Sequence, residues 1–447
     1  MSSVLRPPAL HHFLSLRVIG VASRMLASQH AGLAPLKGRD LRDPVAPTPL
    51  SFEDPRAFQV KSWWELMRAL GVFRLCSFPA LVNNCGKVMT FTRTILGKRA
   101  FAKVLRPFVY AQFVAGETEK EISESMEKMS SLGLRPMLAV PIEEDLGEST
   151  GERRYNNNLA AMLECVRMSH CNSWSKDPMM QLKITALVSP ELCVKLTCLL
   201  KEQQYDLDLL VRAMNSEASI NKVRILVDAE YTYMNPALSL ITMAMMKKFN
   251  QDDAWIWNTY QSYLKESRDL LLEAIRLSKD QSFCLGVKLV RGAYMDKERK
   301  LADKERRTDP IHETWECTND CYNGSLDVML NLISQHPDRY KIIVATHNEE
   351  SVRRAVARMD EWGIDRNGGS VCFGQLLGMC DHVSLTLAQQ GFSVYKSVPY
   401  GSVDDTLPYL VRRAQENRTV LQGIRKERDL LRQEVRRRVQ EKIAWAK

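Results

Sequence analysis

The 447-residue chain lacks any run of 18 consecutive apolar residues, so no transmembrane helix is expected. No G-x-G-x-x-G follows its first expected strand, which argues against an open dinucleotide-binding sheet. Its eleven cysteines follow no repeating framework. Cys317 and Cys321 lie one helical turn apart with His312 upstream, but no second Cys/His pair follows at zinc-like spacing. No metal site is expected, and the thiols read as reduced and intracellular. Acid is missing from the first 39 residues, where Arg6, Arg17, Arg24, Lys37 and Arg39 alternate with serines and short apolar runs. That pattern predicts a mitochondrial transit segment, with residues 1–49 outside the fold.

What is present describes a globular chain, 45% hydrophobic and 26% charged, with ample material for a core. The net charge of +9 is uneven: from Arg418 to Lys447 ten basic residues face four acidic ones. Such an excess suits an anionic partner, whether nucleic acid, membrane surface or cofactor. Residues 50–134 read as helical, with apolar positions recurring every three or four residues through Trp63, Trp64, Met67, Leu70 and Val72. Leu81–Tyr110 is apolar with interleaved Lys and Arg, which suits a membrane surface or packing on the main domain.

After Leu134 short β-prone runs alternate with helical stretches. Strands are expected at Met137–Val140, Gln181–Leu187, Val223–Val227, Ala254–Asn258, Cys284–Val290, Ile342–Thr346, Val371–Gly374 and Ser393–Val398. Helices are expected at Arg154–Met168, Pro190–Met214, Ala237–Lys248, Tyr263–Ser278, Thr314–Ser334 and Glu349–Glu361. This is the count and size of an α/β (βα)8 TIM barrel, with an open doubly wound sheet as the rival. The barrel rule puts chemistry at the C-terminal ends of the strands. There the sequence places Lys183, Asp228, Glu230, Asn258, Lys288, Arg291, His347, Asn348 and Gln375, a polar crown that buried strands would otherwise exclude.

Tyr409, Arg412, Arg413 and Glu416 fall at i, i+3, i+4 and i+7, on one face of an expected helix. Pro408 suits its first turn, and Asp404 or Asp405 its cap. Two guanidinium forks beside an aromatic ring can hold a small carboxylate with an apolar body.

The ordered motifs "VDAE", "LVRGAYM", "ATHN", "FGQLLGM" and "VPYG…PYLVRRAQEN" resemble the proline dehydrogenase family over about Leu134 to Val420. The resemblance implies a distorted TIM barrel over residues 135–420 that binds FAD at the strand ends, with a final helix over the barrel mouth; beyond it, the charged tail reads as a separate basic helix at 421–447. It implies a carboxylate clamp of Arg412 and Arg413 helped by Lys183, a ring wall from Tyr409, and substrate contact at Tyr294. Glu148 would pair with Arg412 to close the site. Asp228 would lie near flavin and substrate amine, with Lys183, Asp228 and Lys288 as the catalytic set. FAD contacts are implied for Asn258, Lys288, Arg291, Gly292, Ala293, Thr346, His347, Asn348, Gln375 and Glu416. Asn258 stands where relatives often have Gln, and Lys288 where they often have Arg.

Ser397 stands where proline-specific members of that family typically carry a tyrosine beside C4 of the substrate ring. A serine leaves room for a 4-hydroxyl and offers it a hydrogen-bond partner. The expected reaction is therefore hydride transfer from C5 of trans-4-hydroxy-L-proline to N5 of FAD, giving 3-hydroxy-pyrroline-5-carboxylate, with ubiquinone as electron acceptor. The expected place is the matrix face of the mitochondrial inner membrane, held there peripherally. L-Proline as main substrate is one alternative. A scaffold that binds nucleic acid or membrane through its basic tail, on a degenerate barrel, is another, although no nucleic acid is expected.

Overall fold

The computed structural model describes residues 50–142, 152–171, 177–202, 223–419 and 421–445. The expected transit segment lies outside the described residues.

Eight parallel strands close into a barrel: β1 (Arg135–Ala139), β2 (Met179–Leu182), β3 (Arg224–Val227), β4 (Ile256–Gln261), β5 (Leu285–Val290), β6 (Tyr340–Ala345), β7 (Val371–Leu376) and β8 (Val394–Pro399). β1 pairs with both β2 and β8, which excludes the open sheet. Alternation along each strand divides the core in two. Outward residues such as Leu138, Ile225, Val287, Val344 and Phe373 pack under the helices. Inward residues Met137, Met179, Leu226, Trp257, Ile343, Cys372 and Tyr395 fill the barrel axis. The Trp257 indole occupies so much of it that a Cβ on Gly286 would sit 2.5 Å from the ring. Below this plug Arg135, Asp177, Arg224, Asp253 and Lys341 form an ion cluster at the N-terminal end. Sealed there, the barrel opens at the C-terminal ends of its strands.

All eight expected strands are present, with shifted ends. β2 stops at Leu182, because Ile184–Ala186 turn into a short 3-10 segment whose Thr185 hydroxyl bonds the Glu230 carboxylate. β4 begins two residues later than expected and runs three residues further, to Gln261. The helix expected at Pro190–Met214 is described over Pro190–Glu202, and that expected from Tyr263 starts at Ser267. Two helices the sequence reading did not specify, Met295–Lys304 and Asp381–Gln389, follow β5 and β7.

The preceding helices run Trp63–Cys76, Pro79–Asn83, Cys85–Leu105 and Glu119–Ser131. Ser62 with Glu65, and Thr118 with Glu121, form reciprocal capping boxes. The helix Val403–Thr419 crosses the barrel mouth and starts earlier than expected. Ser402, not Asp404 or Asp405, accepts the hydrogen bond from the Asp405 N–H, and Pro408 lies inside the helix. The basic tail is a helix, Leu421–Trp445, that returns to pack on Trp63–Cys76. Its Arg437 and Arg438 pair with the buried Glu434, so part of its charge is balanced internally.

Candidate active site

The strand ends and the helix Val403–Thr419 enclose a cavity of about 1070 Å³. A volume at the upper end of ordinary ligand pockets suits a large ligand and a small one together. Six cationic side chains (Lys183, Lys288, Arg291, Arg353, Arg412 and Arg413) and four carboxylates (Asp228, Glu349, Glu350 and Glu427) line it. The excess is positive, as an anionic ligand requires.

The roof is the helix Val403–Thr419. Arg413 is 6% exposed, and its guanidinium lies 4.9 Å from the centre of the Tyr409 ring. Tyr409 is seated among Val72, Phe101, Phe113 and Met379. Arg412 lines the cavity beside them. Both arginines thus reach the same space as Lys183 at the lip of β2.

One wall carries Lys288 and Asp228, whose Nζ and Oδ1 are 2.5 Å apart and both largely buried. Glu230, also buried, lies close enough to feel the charges of Asp228 and Lys183. Burial pushes its carboxyl up to about 7, opposed by the charge of Lys183 and the Thr185 hydrogen bonds. Glu230 does not line the cavity.

The chain beyond β5 carries Arg291, Gly292, Ala293 and Tyr294 along the same side of the cavity. Gly292 has φ +136°, and a Cβ there would lie 1.6 Å from the Tyr263 ring, so the chain turns at this point only with glycine. Arg291 donates to Asn319, Thr346 and Ser351 and stacks 4.3 Å from the Tyr322 ring centre. Among the described residues no carboxylate pairs with it, so this sunken guanidinium suits an anionic group in the cavity. Beside it, His347 is held neutral: burial and then the charges of Lys396 and Arg413 push its pKa down to about 3. Its Nε2 accepts the Leu376 N–H at 3.2 Å, which leaves the proton on Nδ1. Gln375 is anchored through Ser384 and the Thr346 carbonyl, and Asn348 caps Glu349–Glu361.

The floor carries Ser397. It is 6% exposed, and its hydroxyl donates to Gln181 Oε1 at 3.1 Å.

Of the residues expected at the site, the structure brings together Lys183, Asp228, Lys288, Arg291, Gly292, Ala293, Tyr294, Thr346, His347, Asn348, Gln375, Ser397, Tyr409, Arg412 and Arg413. Asn258 is not among them. Its amide faces the outer helix Asn235–Phe249, 3.4 Å from Ser239 Oγ. The reason is parity: β4 sends Trp257, Thr259 and Gln261 inward, and Thr259 and Gln261 line the cavity instead. Glu148 and the Glu416 side chain lie outside the described residues. The sequence reading missed Gln181, Thr259, Gln261 and Glu427. Lys183 was already placed at the mouth, and Gln181 two residues before it shares its face. Glu427 had no local signal: it arrives on the returning tail and accepts the Cys380 and Asp381 N–H groups at 2.9 and 2.8 Å.

A closed parallel barrel with charged residues at its C-terminal mouth, roofed by paired arginines, is an enzyme for a small anionic substrate. The comparisons sharpen this. The family profile described as "Proline dehydrogenase" matches residues 122–426. The chain is 53% identical to hydroxyproline dehydrogenase of Xenopus laevis, over 87% of this chain and 90% of that one. It is 30% identical to human proline dehydrogenase 1, mitochondrial, over 86% and 88%. Among solved structures, proline utilization A from Bdellovibrio bacteriovorus shares the fold with TM-score 0.59 at 16% identity, covering 94% of this chain and 42% of that longer one. The chain belongs to the proline dehydrogenase family and is an oxidoreductase acting on an imino acid.

Proposed function

We propose that the chain oxidises trans-4-hydroxy-L-proline to 3-hydroxy-pyrroline-5-carboxylate, with FAD as its cofactor and a membrane quinone as electron acceptor. The observation that carries the substrate choice is Ser397, a small hydroxyl on the cavity floor below the Arg412–Arg413 roof. The residues fit a flavin. Arg291, with no carboxylate partner among the described residues, suits its pyrophosphate, and Lys288, His347 and Gln375 also line the cavity. Bound FAD would supply the two-electron acceptor, taking hydride from C5 at N5.

The chain's own residues do the rest. Arg412 and Arg413, with Lys183, hold the substrate carboxylate, and Tyr409 packs beside the ring. These contacts would orient C5 of the substrate toward the bound acceptor, since a reacting pair needs an approach of roughly 3–3.5 Å. The substrate amine must lose a proton before hydride departs. Lys183 and Asp228, the latter paired with Lys288, line the cavity as candidates to receive that proton, and Tyr294 lines it with them. Neutral His347 adds no positive charge to a wall already rich in cations.

An anaerobic titration tests the reading: hydroxyproline is to bleach the visible flavin band, and at lower concentration than proline. A protein purified without flavin, or one that proline reduces more efficiently, overturns it. The second outcome favours L-proline dehydrogenase. The family assignment removes the scaffold alternative.

The quinone partner points to a membrane face. Residues 66–116 hold eight Lys and Arg and no acid. The same region exposes Phe78, Phe91, Ile95, Val104 and Phe108, with Phe91 at 68% and Ile95 at 65%, and Trp64 just before it is also exposed. Large exposed apolar groups among cations match an anionic lipid surface. The helix Cys85–Leu105 also touches the roof helix, through the Arg93–Asp404 ion pair and Cys85 against Val411. A bilayer bound there lies next to the cavity roof. With the acid-free residues 1–39 and the mitochondrial relatives, this supports a place at the matrix face of the inner membrane.

A further inference from the structure

Ser397 does not act alone. β8, β1 and β2 lie side by side, and Met137 of β1 is in register with both Ser397 and Met179. Strand parity turns Ser397, Met137 and Gln181 to the same cavity floor. The serine hydroxyl spends its only donor on Gln181 Oε1, 3.1 Å away. The Gln181 amide nitrogen faces the Met137 thioether at 4.0 Å, a weak acceptor. The opposite amide orientation would set a carbonyl oxygen against sulfur and lose that contact. The pair is therefore polarised. Both serine lone pairs and the second Gln181 N–H remain for a ligand, while the hydroxyl rotor is fixed.

A ring hydroxyl is both donor and acceptor. It can donate to Ser397 Oγ and accept from Gln181 Nε2, satisfying both at once. A lone serine, free to rotate, would satisfy either but not fix the direction. We propose that Gln181 is a specificity-determining residue, forming with Ser397 a two-point site for the substrate's ring hydroxyl. This rests on the reading that Ser397 faces that hydroxyl.

The test compares hydroxyproline and proline turnover in wild type, Gln181→Met and Gln181→Glu. Gln181→Met keeps volume and removes both hydrogen-bonding groups. Its kcat/KM for trans-4-hydroxy-L-proline is expected to fall about 10- to 100-fold, the effect of losing one or two hydrogen bonds, with proline changing less than about 3-fold. Gln181→Glu keeps an acceptor for Ser397 but no donor, and should fall between. Because the pair occupies one place on the cavity floor, discrimination between the trans and cis 4-hydroxy epimers should narrow in both variants, a readout that general loosening would not give. Flavin content and melting temperature identify a misfolded variant, in which case the other decides. If wild type shows no preference for hydroxyproline, the proposed function fails. If wild type prefers it and both the substrate ratio and the epimer ratio stay unchanged in the folded variant, the role of Gln181 is overturned.

Discussion

Replacing Arg413 by methionine tests the carboxylate clamp most directly. Arg413 is 6% exposed and lies over the Tyr409 ring at 4.9 Å. Methionine keeps most of the side-chain length and apolar contact while removing the fork. A charge-assisted hydrogen bond in such a site contributes about 1.5–3 kcal/mol, and a guanidinium makes two to a carboxylate. Arg412 and Lys183 stay in the same cavity and recover part of that loss. The expected net loss is about 3–4 kcal/mol, or roughly 10²- to 10³-fold in kcat/KM for hydroxyproline. Stopped-flow reduction of the bound flavin measures it. The control is pyrrolidine, which has the reacting ring and no carboxylate. Wild type and variant should reduce with pyrrolidine at similar efficiency, because the lost interaction was never made. Arg413→Lys should recover part of the activity with hydroxyproline, since the charge returns without the fork. An equal loss with pyrrolidine would refute the clamp and leave Arg413 as a holder of the roof helix through Tyr409.

Ser397→Tyr should lower the hydroxyproline/proline ratio of kcat/KM at least about 10-fold, because a phenol ring fills the floor and ends the bond to Gln181; an unmoved ratio refutes the role of the serine. Phe91→Asp with Ile95→Asp should abolish sedimentation with anionic vesicles and leave turnover with a soluble dye acceptor intact, whereas retained vesicle binding would exclude that face. Glu230 titrates near 7 when folded against 4.5 in the reference state, so the folded chain holds a proton that the unfolded chain releases, and its contribution falls as pH rises from about 4.5 to 7. Glu230→Gln should therefore gain thermal stability relative to wild type at pH 8 compared with pH 5, by an amount on the order of 3 kcal/mol or less; parallel melting profiles across that range refute the shift.

The barrel was legible because its strands are short Val-, Ile- and Leu-rich runs bounded by helices, and such strands announce their existence better than their ends. β4 shows the limit. Its polar residues Asn258, Thr259 and Gln261 read as the point where a buried strand stops, yet all three are buried and hydrogen-bonded, so the strand runs on through them. Ending the strand at Asn258 made that residue its crown, whereas its outward parity points the amide at Ser239. The roof helix was legible from its i, i+3, i+4 spacing, because a helix face is local information. Glu427 was not, since only the folded chain brings a residue from the tail to the start of Asp381–Gln389.

The same parity settles which residues belong to the mouth without any knowledge of chemistry. Once Lys288 is placed inward on β5, its register partner Thr259 on β4 follows, and Gln261 two residues later lies on the same face. Once Lys183 is placed beyond β2, Gln181 follows. A strand residue therefore has little independent choice of face, and one secure inward residue fixes most of the others; the exception is Gln375, which shares the outward parity of Phe373 on β7 and still borders the cavity near the end of the strand. Of the crown read from sequence, Asn258 fails this rule and lies outside the cavity, while Gln181 obeys it and stands beside Ser397. Strand parity, more than residue type, decides which polar groups a substrate meets.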